Sequence, residues 1–131
     1  MARYMGDDYK ASVYAYFRVL MARRRTEEEI DEESFNATCR LYQNDSDIEV
    51  VDNKMISFKH INVQGVEFTA ADVRLDLRIN VRGVDYDEAC SQADGMVSSI
   101  TDELPAGVAY VDCDIYDAEC CGPAVDWDWA V

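Results

Sequence analysis

The chain has 131 residues, about half of them apolar, and sets 27 acidic side chains against 12 basic ones for a net charge of −15. That length suits one domain with a core of its own, and the apolar fraction excludes a disordered chain. No window reaches the roughly 18–20 apolar residues of a membrane span, no secretory leader pattern opens the chain, and the acidity argues against direct DNA binding, so an intracellular protein with no membrane partner is expected.

From Asp7 or Asp8, either of which can cap a helix, the sequence is read as an N-terminal helix running to about Arg25. Val13, Phe17 and Leu20 fall at i, i+4 and i+7, with Tyr14 and Met21 beside them. Arg23, Arg24 and Arg25 would sit in its last turn, where positive charge complements the helix dipole. Residues 1–25 hold six bases and two acids, a net of +4, so the triplet has a second use in meeting an acidic neighbour, including another copy of this chain. Residues 26–131 hold six bases and 25 acids, a net of −19.

In "TEEEIDEES", Thr26 and Glu29 stand at capping-box spacing, which suits a second short helix or an acidic linker. Short β segments are expected from Phe35. Ala37, Cys39 and Leu41 alternate with Thr38, Arg40 and Tyr42; "NDSD" reads as a turn, "IEVV" as a strand and "DNK" as another turn. "MISFKHINV" is the next strand, broken at Gln64-Gly65. His60 lies inside it with no second base or nucleophile nearby and is read as a hydrogen-bonded structural residue.

The clearest strand follows. Val73, Leu75, Leu77, Ile79 and Val81 share one face, and Arg74, Asp76, Arg78 and Arg82 arm the other. Gly83 ends it, and from there to the C-terminus the chain holds twelve acids and no base. Asp85 caps a helix with Glu88 three residues on, and Ala89, Ala93, Met96, Val97, Ile100 and Leu104 form its apolar stripe before Pro105 and Gly107 stop it. In "VAYVDCDIYD", Ala109, Val111, Cys113 and Ile115 alternate with Tyr110, Asp112, Asp114 and Tyr116. The strand–helix–strand unit from Val73 to Asp117 is expected to be a right-handed crossover. A turn at Gly122-Pro123 precedes Val125, Trp127 and Trp129, which alternate with acids as an edge strand or a segment docked on a neighbour.

The expected architecture is a single α+β domain, a mostly antiparallel sheet flanked by an N-terminal helix and by a second helix after the central strand. Residues 1–34 form the helical segment, 35–117 the core and 118–131 the C-terminal tail. No phosphate-cradling loop, nucleophile elbow or His-rich motif is present. The five cysteines are odd in number, lack a CxxC pair and have only His60 to join them, so reduced thiols are expected, not a metal site. The chain reads as non-enzymatic, with no cofactor.

One stretch carries a family likeness. "VRLDLRINVRGVDYDEACSQADGMVSSITDEL", Val73 to Leu104, sets an alternating strand, an Arg-Gly turn and "DYDEA" opening an amphipathic helix. It resembles the tail-terminator and minor-capsid (tail-completion) proteins of long-tailed bacteriophages. The likeness covers Ile48 to Asp117, with the N-terminal helix matching by position; the acidic Trp-containing tail with Cys120 and Cys121 lies outside the pattern.

The resemblance implies a virion protein, assembled in the host cytoplasm, that forms a ring, usually six-fold, in the tail or neck. Its partners would be copies of itself and other phage tail or neck proteins, with DNA passing through without specific binding. It implies neither enzymatic activity nor a cofactor. On this reading Arg23, Arg24, Arg25, Arg74, Arg78, Arg82, Trp127 and Trp129 are candidates for the subunit interface, and Asp112 and Asp114 for a phosphate-repelling surface. Cross-strand pairing within one subunit accounts equally well for the Arg/Asp strand face. Two further readings compete: an acidic DNA mimic that occupies the basic groove of a nucleic-acid-binding partner, and an acidic α+β protein adapted to salt.

Overall fold

The computed structural model describes the backbone of residues 2–127 and the side chains of residues 4–124. The elements run β1 (Ala2–Ala22), α1 (Glu27–Thr38), β2 (Ile48–Val63), β3 (Val66–Gly83), α2 (Tyr86–Ser98), a short 3-10 turn (Ser99–Asp102) and β4 (Val108–Trp127). The four strands form one sheet in the order β2-β3-β1-β4, every neighbouring pair antiparallel. β1 and β2 are therefore parallel with β3 between them, and β3 and β4 are parallel with β1 between them. This is the double split β-α-β arrangement of ferredoxin-like folds, and the α+β class expected from the sequence holds.

The N-terminal helix does not form where it was expected. Residues up to Ala22 are the central strand β1, and the first helix is α1. Tyr9, Ala11, Val13, Ala15, Phe17, Val19 and Met21 are all buried, a strict period of two, while Leu20 stays about half exposed at 49%. Val13, Phe17 and Met21 are four apart, a spacing that fits one side of a strand as well as one side of a helix. The β-branched and aromatic residues around them favour the strand. Arg23, Arg24 and Arg25 accordingly lie in the loop before α1, not in a helical last turn.

Several further boundaries move for local reasons. The alternation expected over Ala37–Tyr42 is instead the end of α1 and the turns after it, with Thr38 and Tyr42 buried four residues apart. "DNK" is no turn: β2 runs through it, and an extra residue, Val51, opens a bulge between Val50 and Asp52. Gly122-Pro123 likewise lies within β4, not at a turn. In β4 an extra residue at Val111 resets the alternation, so Tyr110 packs inward and Val111 faces out at 55% exposure.

Both helices cover the same face of the sheet. On that face the odd positions of β1 and the residues Ala71, Val73, Leu75, Leu77, Ile79 and Val81 of β3 meet Ile30 of α1 and Ala89, Ala93 and Val97 of α2. Phe17 is the centrepiece, edge-on to Tyr42 at 6.3 Å and to Tyr110 at 5.6 Å. The inward stripe of α1 is Ile30, Ser34 and Thr38. Its hydroxyls are satisfied on the spot, Ser34 donating to the Asp31 carbonyl and Thr38 to the Ser34 carbonyl. The Asn53 amide of β2 donates to Thr38 Oγ1 at 2.7 Å, which ties the helix to the edge strand.

Candidate functional site: an uncovered sheet face and two free edges

The face opposite the helices carries the even positions of β1 and β3, and no element lies over it among the described residues. Arg74 places its guanidinium 4.4 Å from the Tyr14 ring centroid, and Tyr14 stacks with Tyr116 at 4.3 Å. Arg78 donates to Asp76 at 3.0 Å and to the Tyr116 hydroxyl at 2.9 Å, while that hydroxyl donates to Asp76 at 2.9 Å. Partial burial and the bond to Asp76 raise the Tyr116 hydroxyl above the usual phenol range. Arg18 pairs with Asp72, which also accepts from Ser57, and Arg82 pairs with Asp8. Those two ion pairs are about half exposed, so each is worth roughly 0–1 kcal/mol.

Five of the six arginines singled out from the sequence, all but Arg24, thus have partners within their own subunit. Arg74 and Arg78 join one cross-strand network through Tyr14 and Tyr116 on the open face, and Arg82 makes a separate cross-strand pair with Asp8, the intramolecular alternative that the alternating pattern allowed. Arg23 and Arg25 bind the first turns of α1: Arg23 bonds Glu29 at 2.8 Å, and Arg25 bonds Glu33 and lies 3.7 Å from Glu29. Glu29 also completes the expected capping box with Thr26. Hydrogen bonding from the Thr26 backbone, then from Arg23, lowers the Glu29 carboxyl to about 2. Arg24 is exposed. The backbone of Trp127 lies in β4 opposite Ala2, and Trp129 lies outside the described residues.

A residue that the sequence did not single out anchors the loop before α1. Thr69, fully buried, donates to the Arg23 carbonyl at 3.0 Å and accepts from the Arg25 amide at 3.0 Å. His60 Nδ1 lies 3.2 Å from the same oxygen and its ring meets Phe58 edge-on, so this histidine is a structural neighbour of the loop. Arg23 takes a positive φ of 59°, and these bonds hold it there.

The two outer strands are built alike. β2 carries extra residues at Val51 and Ile56, and β4 at Val111, Tyr116 and Cys121. Bulges of this kind twist an edge away from unwanted pairing. β4 carries Asp112, Asp114, Asp117, Glu119 and Asp126 and no base. Asp112 and Asp114 are exposed and pair in register with Tyr16 and Tyr14, so these two acids border the Tyr/Arg network.

Among the described residues no group of three His, Cys, Asp or Glu side chains is placed to hold a metal, and no helix is long and apolar enough to cross a membrane. The five cysteines are unpaired. Burial raises the Cys113 thiol above its ordinary value, which makes it a poor nucleophile. A depression of about 1050 Å³ lies open to solvent at one end of the sheet, and Arg82 on its wall is already paired with Asp8. No family model matches the chain, and no curated protein matches it.

Proposed function

We propose that this chain is a structural subunit that assembles with copies of itself, and that its setting is the ring closing the tail or neck of a tailed bacteriophage. The observation that carries the reading is the uncovered sheet face. Tyr14, Tyr16 and Tyr116 alternate there with Arg74 and Arg78, the residue types that dominate protein–protein contacts. The Val73–Leu104 likeness supplies the ring and the virion. The acid-only β4 suits a passage for DNA, since a basic lumen would hold phosphate by releasing counterions. The fold by itself does not select this function.

The test is negative-stain electron microscopy of the purified protein, joined to a band-shift with duplex DNA at low salt. Ring particles with a central opening and no DNA shift are the expected results. Dispersed single subunits, or a firm shift, would contradict the reading.

A second reading rests on the row of acids on β4. Alternate residues on a strand recur about 6.8 Å apart, so Asp112 and Asp114 present charge at regular spacing, as a DNA mimic would. It requires a monomer or dimer that competes with DNA for a basic protein in a salt-sensitive way.

A further inference from the structure

The two free edges of the sheet differ in charge and in regularity. Around the outer half of β2, residues 53–66 contain Lys54, Lys59 and His60 and no acid, in a chain with 27 acids. Within that stretch, Ser57–Val63 pairs with β3 over seven consecutive residues without a bulge. Its other edge is unpaired among the described residues, because β2 ends the sheet. Apolar surface accompanies it: Phe58 is 37% exposed, Val63 53% and Val66 55%. At the opposite end of the sheet, the outer edge of β4 offers two bulge-free runs of four residues, Asp112–Ile115 and Asp117–Cys120, with Val111 exposed beside them.

We propose that the Ser57–Val63 edge of one subunit docks against the acidic edge of β4 in a second copy, head to tail, with Lys54 and Lys59 facing Asp112, Asp114 and Asp117. Charge decides between the possible contacts. β4 on β4 sets acid against acid, the Ser57–Val63 stretch on itself sets Lys59 against Lys59, and that stretch on β4 brings opposite signs together. The β4 bulges limit main-chain pairing to runs of four residues, so such a contact adds few backbone bonds and draws its specificity from charge. The contact is heterologous, and repeated by rotation it closes a ring. The inference rests on the assembly reading above and adds an edge-to-edge contact to the open face named there.

All four side chains to be changed are exposed, so the variants are expected to fold, and circular dichroism with thermal melting checks this. Native mass spectrometry and light scattering at low salt then compare the wild type with K54E/K59E, with D112K/D114K and with the quadruple variant that combines them. Each double variant is expected to raise the concentration for half-assembly at least about tenfold, and the quadruple variant to restore it. Double variants that assemble like the wild type would overturn this contact and leave the assembly reading standing. A quadruple variant that fails to recover would overturn the pairing of these two edges. A wild type that stays monomeric at all concentrations would overturn both the contact and the assembly reading.

Discussion

Arg74 holds its guanidinium 4.4 Å from the ring centroid of Tyr14 on the neighbouring strand. The two residues sit in the sheet's central pair, β3 and β1, on the face that the helices leave bare. This contact accounts for an arginine on an otherwise ordinary alternating strand. The charge is held over an aromatic face, and Tyr14 is in turn held by Tyr116 of β4. Three of the four strands are thereby linked across the outer face by side chains, not only by the ladder.

Removing that charge should separate folding from association. A half-buried cation–π contact contributes about 0.5–2 kcal/mol, so Arg74→Ala should lower stability only by that amount in urea unfolding. The same variant should weaken self-association more than it weakens the fold. Equal and small effects on both would show that the face is merely solvated.

Phe17 tests the core. It is 1% exposed and packs edge-on against Tyr42 and Tyr110, which come from the segment after α1 and from β4. Phe17→Ala should cost about 3–5 kcal/mol in chemical denaturation, with the m-value unchanged. A loss below about 1 kcal/mol would contradict the packing.

Gly83, buried at the end of β3, lies against the first turn of α2. A Cβ built there would stand 2.8 Å from the Ala89 backbone nitrogen and 3.2 Å from the Asp85 carbonyl oxygen. Backbone cannot yield as a flexible side chain does, so Gly83→Ala should cost about 1–3 kcal/mol through overpacking. The thermal midpoint measures it, and an unchanged midpoint would show that α2 is free to move away.

Glu29 gives a pH dependence of known sign. Its carboxyl lies at about 2 in the folded state, below the ordinary Glu value of roughly 4.3. Its contribution to stability is therefore complete above the ordinary value and is lost as pH falls through about 2. The stability gap between wild type and Glu29→Gln should be widest near neutral pH and should shrink steadily below about pH 4. Urea midpoints of the two proteins across that range measure the gap, and a constant gap would refute the assignment.

The unbroken run of apolar inward positions from Val73 to Val81 made the second half of β3 legible in the sequence. The β1 pattern was equally strict, but Val13 and Phe17 satisfy both periods, and Leu20, which is half exposed, completes a helical spacing with them. Alternate counting from Tyr9 to Met21 would have resolved it. α1 was half legible through its capping box; its end was hidden because the buried stripe is Ile30, Ser34 and Thr38, polar at two of three places. The bulges at Val51, Ile56, Val111, Tyr116 and Cys121 shift the face of everything after them, and no local residue signal announces them. Of the candidate surface, the Arg/Asp series was visible in advance, but its tyrosine partners on β1 and β4 depend on strand order.

Solution mass tests the proposed association of copies of this chain most directly. Size-exclusion chromatography with light scattering should be run across protein concentration and salt. A discrete species near six subunits that weakens as salt screens the opposed charges is expected. A single-subunit mass at every concentration, at low salt as well as high, would contradict it.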